Sequence, residues 1–257
     1  MEHAGRGDPA RTMALLWDGL PAARRGPRQR LELTAVVDAA IAEAGRAGPA
    51  ALSMRALARA LGIGTASLYT YVPGKAELLE LMVDRVAAGR PLPDPTSGWR
   101  AGLRGVAEAD LDACRAHPWL LRVSTSRTVL GPHVLARYEA TLALLHGRGL
   151  SAADVVGCVA AVESYTRGAA SAVVEAEQAP ERTGGDDEWW ERQVPFLEER
   201  MNGRFPLLAE LEEAGAFGVS GTALPYALQR ALDRFAHGLD LVLDAVAGRI
   251  AAAGGPH

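Results

Sequence analysis

Lysine occurs once in this 257-residue chain, at position 75, and cysteine only twice, at positions 114 and 158. Two thiols without a CxxC or a Cys/His cluster indicate neither a disulfide framework nor a zinc site. No apolar run approaches the roughly 18 to 20 residues that a membrane span needs. The stretch MALLWDGL near the start is too short for a signal peptide and carries Asp18. These absences predict a cytoplasmic protein whose two thiols are small, half-buried side chains. Catalytic signatures are missing as well. There is no GxSxG, HExxH or GxxxxGKS, and His117, His133, His146 and His237 are scattered without a partner pattern. No cofactor, metal or catalytic residue is expected. What the chain has is apolar mass: 49% hydrophobic and 23% charged residues suffice for one or two cores without staples.

The net charge of −4 conceals an asymmetry. Residues 1–90 hold 12 basic against 9 acidic side chains, and the remainder holds 15 against 22. Only the first third suits a polyanion. Its basic character is concentrated in PAARRGPRQR, where Arg24, Arg25, Arg28 and Arg30 occur with no acid between them. Pro21, Gly26 and Pro27 make this stretch an arm, placed either to follow phosphates or the minor groove, or to serve as a solvated linker.

Residues 52–75, LSMRALARALGIGTASLYTYVPGK, read as two short helices joined by a tight turn. Met54, Leu57, Ala58 and Leu61 recur at helical spacing, with Ser53 as the N-cap. Gly62 closes this helix and Ile63 buries the turn. A second helix, capped by Gly64 or Thr65, turns Leu68 and Val72 inward and ends at Pro73-Gly74 after about two turns. Thr65, Ala66, Ser67, Tyr69, Thr70 and Tyr71 are left on its outer side or N-terminus, with no acid among them. That face meets a duplex without a repelling carboxylate.

With the turn that follows, LSMRALARALGIGTASLYTYVPGKAELLELM resembles the DNA-binding domain of the TetR family of bacterial transcriptional regulators. The likeness extends upstream through LELTAVVDAAIAEAGRAGPAALS. It implies base contacts from Thr65, Ala66, Ser67, Thr70 and Tyr71, and phosphate contacts from Tyr69, Lys75 and Arg55. A lone lysine in an arginine-using chain suits a compact phosphate contact.

Pro91, Pro93 and Pro95 break the helix that starts at Lys75. The chain then divides into a basic arm (1–29), a helix-turn-helix domain (30–75), a connecting helix with a Pro-rich boundary (76–96) and a helical effector-binding and dimerisation domain (97–252), all-α throughout. Within the last, helices are expected over Trp99–Ala116, His133–His146, from Ser151 to about Gln178, Trp189–Met201 and Leu224–Ile250, with a loop at Pro180–Asp187. On the last helix Leu228, Leu232, Phe235, Leu239, Val242 and Val246 follow a 4-3-4-3-4 spacing. On the long helix before it, Gly157, Ala160, Ala161, Gly168, Ala169, Ala170 and Ser171 would let a neighbour approach closely. Both stripes suit an internal core as well as a second copy. The family resemblance implies the second copy, in a four-helix bundle, which would set two reading heads roughly 34 to 36 Å apart on a palindrome.

The segments AHPWLLRV, VLGPHVLARYEA and GLSAADVVGCVAAVESYTRGAA resemble the ligand-binding domain of the tetracycline-repressor branch. Two departures stand out. Val129 occupies the place of that branch's metal-binding His, and Ala172 that of its acidic helper. Without both anchors a magnesium-tetracycline complex does not fit, and an organic, partly apolar effector does. Trp119, Arg122, His133, Val159, Glu163, Tyr165 and Trp190 are the candidate contacts, each with core or surface packing as the plainer role. Operator DNA, a small-molecule effector and a second copy are the expected partners, and no membrane. The alternative is a helical adaptor, or a small enzyme fused to a DNA-binding head.

Overall fold

A computed structural model describes residues 8–20, 31–124, 128–183, 192–197, 200, 203–219 and 223–254, and the regular elements among them are all helical. Helix α1 (Pro9–Trp17) begins at Asp8, whose carboxylate accepts from the Ala10 amide at 3.0 Å, with Pro9 at a position where no N–H is missed. Its buried Thr12 and Leu15 face α5 (Lys75–Ala88), and Trp17 Nε1 donates to the Leu130 carbonyl at 3.0 Å. Within the expected arm over 1–29, residues 9–17 thus form a docked helix, while 1–7 and 21–29 lie outside the described residues. The apolar run MALLW is too short to signal a span, yet it supplies enough surface to dock one helix. Arg24, Arg25, Arg28 and Arg30 lie outside the described residues.

The head is built from α2 (Leu33–Ala47), α3 (Met54–Ala60), α4 (Thr65–Leu68) and α5. Ser53 Oγ accepts from the Ala56 amide at 3.1 Å, as an N-cap must to satisfy one orphan donor. Gly62 sits at φ 68°, a left-handed conformation a side chain resists, and this lets the Ile63 amide reach the Ala58 carbonyl at 3.0 Å. Val36, Ala40, Leu57, Leu68, Val72, Leu78 and Met82 are fully buried between these helices. Each large apolar side chain so placed contributes about 1.5–3 kcal/mol. The same core continues into Trp119, Val123 and Val129 of the following domain, so the Pro-rich boundary is not a break in packing.

The body packs α6 (Trp99–Ala116), α8 (Ala152–Thr183) and α10 (Tyr226–Ala252) around a second core, with α7 (Pro132–Ala143) between α5 and α8. A 3₁₀ turn, Pro118–Arg122, follows α6. Ser151 Oγ accepts from the Asp154 amide at 3.1 Å, so the expected cap of α8 forms. The helix runs on to Thr183 instead of stopping before Pro180. A proline in the last turn removes one rung of a ladder that is already ending. The expected helix Trp189–Met201 lies largely outside the described residues, of which 192–197 are helical, and α9 (Pro206–Glu213) was not foreseen.

The apolar seam of α10 faces inward. Phe235, Leu239 and Val246 are buried in the chain's own core, and Leu228, Leu232 and Val242 pack partly buried against it. The 4-3-4 spacing marks the face of a helix that meets another helix, and here α8 of the same chain takes it. Gly238 allows the close crossing: a Cβ there would stand 2.3 Å from the Tyr165 hydroxyl, which bonds the Arg234 and Phe235 carbonyls at 2.8 and 2.9 Å.

Candidate nucleic-acid interface and ligand cavity

The reading face forms around a helix shorter than expected. α4 is a single turn, after which the Thr70 and Tyr71 amides bond three residues back, to the Ser67 and Leu68 carbonyls at 3.1 and 2.9 Å. Pro73 disfavours α geometry at Val72, and the chain tightens into turns before it. Ala66, Ser67, Tyr69 and Thr70 are exposed, while Thr65 is half-buried at the helix start. Thr70 Oγ1 donates to the Ser67 carbonyl at 2.7 Å. Arg55 is exposed on α3. Lys75 begins α5, with Nζ 3.4 Å from the Ala50 carbonyl, which holds the ammonium beside the turn. Tyr71 differs from its neighbours: its ring packs on the head's core and its hydroxyl accepts from the Leu31 amide at 3.2 Å. It therefore fixes where the chain enters α2.

Two adjoining lobes, of about 440 and 310 Å³, lie where α6, α7 and α8 meet the end of α5. They share Arg90, Asp110, Thr128, Val134 and Glu163. Val83, Leu120, Val123 and Val129 supply apolar wall. A roomier cleft of about 630 Å³ opens between α2, α5 and α6 beside the Asp38–Arg85 ion pair. That cleft is wide-mouthed, whereas a ligand site covers most of its occupant, so the paired lobes are the better candidate.

Of the sequence candidates, Glu163 alone lines these lobes. Trp119 and Val159 are core residues. Tyr165 locks α8 to α10 through the bonds at Gly238. Arg122 is exposed outside the lobes, and Trp190 lies outside the described residues. His133 is taken by Asp84. Sequence reading missed Arg90, Asp110, Arg137 and Arg167 because they come from four separate segments, and each reads as an ordinary helix-surface charge.

Asp84 joins head to body. It is buried on α5, and its Oδ1 accepts from the His133 and Val134 amides, both at 3.0 Å, while Oδ2 stands 2.7 Å from His133 Nδ1. A carboxylate on the first amides of α7 satisfies donors that the helix leaves open. Gly131 makes room, since a Cβ there would lie 2.1 Å from Asp84 Oδ1. Val129 and Val134, on either side of that glycine, both line the lobes.

Burial pushes the Glu163 carboxyl above its ordinary range and Asp110 adds to the push, with Arg137 and Arg90 opposing it. Solvent still reaches much of the side chain through the cavity mouth, so the effect is partly screened. A carboxyl raised on folding stabilises the fold below its unfolded value and loses that contribution as pH rises through the folded one. Glu163→Gln is therefore expected to raise the melting temperature modestly at pH 8, with the gain shrinking as pH falls toward 4. Melting curves across that range check it.

The molecule is thus a helix-turn-helix head continuous in packing with a helical body that holds a cavity. Residues 36–82 match the model of bacterial regulatory proteins of the tetR family, and residues 92–250 match the tetracyclin repressor-like C-terminal domain. The chain belongs to the TetR family and is a DNA-binding transcriptional regulator. It is 44% identical over 238 residues to the HTH-type transcriptional repressor DrrR1 of Streptomyces coeruleorubidus, covering 90% of this chain and 87% of that one. Among solved structures it resembles ActR of Streptomyces coelicolor in complex with actinorhodin, at 27% identity and TM-score 0.67 over 88% of this chain and 99% of that one. BioQ of Mycobacterium smegmatis, at 22% identity and TM-score 0.59 over 86% and 99%, shares the fold. No helix among the described residues is long and apolar enough to cross a membrane.

Proposed function

We propose that two copies of the chain repress transcription by reading a palindromic operator, and that a small organic molecule entering the paired lobes releases them. The observation that carries this is continuity: α5 begins at Lys75 on the reading face, holds Asp84 against α7, and supplies Val83 to the cavity wall. A ligand that fits one placement of α7 better than another thereby biases the placement of α5 and the head. It can shift that equilibrium only by its difference in affinity for the two states. The ActR complexes with actinorhodin and (S)-DNPA support a ligand-responsive reading of the shared architecture.

Arg55, Thr65, Ala66, Ser67, Tyr69, Thr70 and Lys75 are the contacts on DNA, with Thr65, Ala66, Ser67 and Thr70 toward base edges and Tyr69, Lys75 and Arg55 toward phosphates. Tyr71 serves them chiefly by anchoring Leu31. The second copy docks on the outer faces of α8 and α10, where Gly157, Ala160, Ala161 and Gly168 are exposed and Leu241 is 58% exposed. Leu241→Arg is expected to yield a folded monomer in sedimentation and to weaken operator affinity at least about 100-fold, because each half-site is then bound alone. A dimer of unchanged strength would move the interface elsewhere. Selection of bound sequences from random duplexes tests the whole reading: half-sites about one helical turn apart support it, and recovery of unrelated sequences contradicts it.

A further inference from the structure

The unpaired atoms in the cavity wall indicate the chemistry of the ligand, an inference that rests on the effector-site reading above. Asp110 is already engaged through one oxygen. Its Oδ1 accepts from Arg90 Nη1 at 2.6 Å and from Arg137 Nη2 at 2.8 Å, and Arg137 spends further donors on the Pro91 and Val106 carbonyls. Arg167 Nη2 takes up the carbonyls of Leu120, Leu121 and Val123 at 3.2, 3.0 and 2.9 Å. Five backbone carbonyls around the lobes are thus in use. Two polar atoms are left over, both buried with no hydrogen-bond partner among the described residues: Arg90 Nε, which only donates, and Thr166 Oγ1, on a side chain only 2% exposed that lines the larger lobe, whose hydroxyl can donate as well. Buried donors of this kind are costly unless something completes them. The charge balance points the same way, with Arg90, Arg137 and Arg167 facing Asp110 and Glu163.

We propose that the effector is a neutral or anionic apolar ring compound rich in carbonyl or carboxylate oxygens, that Thr166 and Arg90 Nε donate to those oxygens, and that the cavity rejects cationic amines. The two oxygen types share one recognition chemistry, and the probes below separate them.

Titration calorimetry on the full chain with three probes on one ring system tests this: anthraquinone-2-carboxylate, anthraquinone-2-carboxamide and 2-(aminomethyl)anthraquinone. The carboxylate and carboxamide are expected to bind, and the ammonium compound at least about tenfold more weakly. Thr166→Val keeps the shape and removes the hydroxyl. It is expected to weaken the first two about five- to tenfold while the ligand-free protein melts no lower, a combination that a purely structural threonine would not produce. Arg90→Lys, which keeps a cation for Asp110 and lacks Nε, should weaken them similarly and serves if the valine variant does not fold. Equal or tighter binding of the ammonium probe, binding unmoved by both substitutions, or no binding by any probe overturns the inference. Operator selection on the same preparation separates the outcomes: selection retained with an ammonium preference removes only the ligand class, and selection lost removes the regulator reading.

Discussion

Ala66→Glu leaves the chain folded and weakens operator binding at least about 100-fold. Ala66 is exposed in the first turn of α4, so the larger side chain meets no core. A carboxylate at a helix start is favourable by roughly 0.3–1 kcal/mol, which keeps the fold at or above its original stability. On the DNA side the same carboxylate enters a face that has no acid of its own and must be desolvated against phosphates. Like-charge juxtaposition in an interface costs several kcal/mol. Fluorescence anisotropy with labelled operator, beside a melting curve, reads both halves. Full affinity in the variant would mean that α4 does not face the duplex.

Asp84→Ala is expected to destabilise the chain by about 2–4 kcal/mol, since two buried amides of α7 lose a charged acceptor. For a chain of this length that is a fall in melting temperature of roughly 5–15 °C. Its second effect is on coupling. With α7 no longer held to α5, a ligand in the lobes loses its purchase on the head, and the concentration needed to release operator rises. Gly131→Ala should copy both effects, because its Cβ displaces the Asp84 carboxylate. The double variant should then lose less than the sum of the two, as expected for substitutions that break one contact. Strict additivity in melting curves, with ligand release unchanged, would remove Asp84 from the coupling path.

The helix-turn-helix is legible because its signals are local. Ser53 caps within three residues, Gly62 turns the chain at its own φ, and Leu68 and Val72 are inward positions of one short segment. The extent of α6, Trp99–Ala116, follows likewise from the glycine before it and the His117-Pro118 stop. Where partners are distant in sequence the pattern runs out. The α10 seam shows that a helix packs on one face, but period alone does not say whether the neighbour belongs to the same chain, and α8 is that neighbour. The cavity is the extreme case. Arg90, Asp110, Arg137 and Glu163 come from the end of α5 and from α6, α7 and α8, and nothing near any of them in sequence announces the other three. In sequence His133 reads as a ligand contact because it is a polar group on an otherwise apolar helix. Asp84, 49 residues earlier, explains it as a joint.

Whether a dimer of this chain reads sequence through α4 is decided by its affinity for a selected palindrome against a scrambled duplex of the same composition, titrated with salt. A dimeric sequence reader shows at least about 1,000-fold preference for the palindrome near physiological salt, with both affinities falling as salt rises and the preference persisting. Equal affinities that collapse together with salt would show a nonspecific polyanion binder and contradict it.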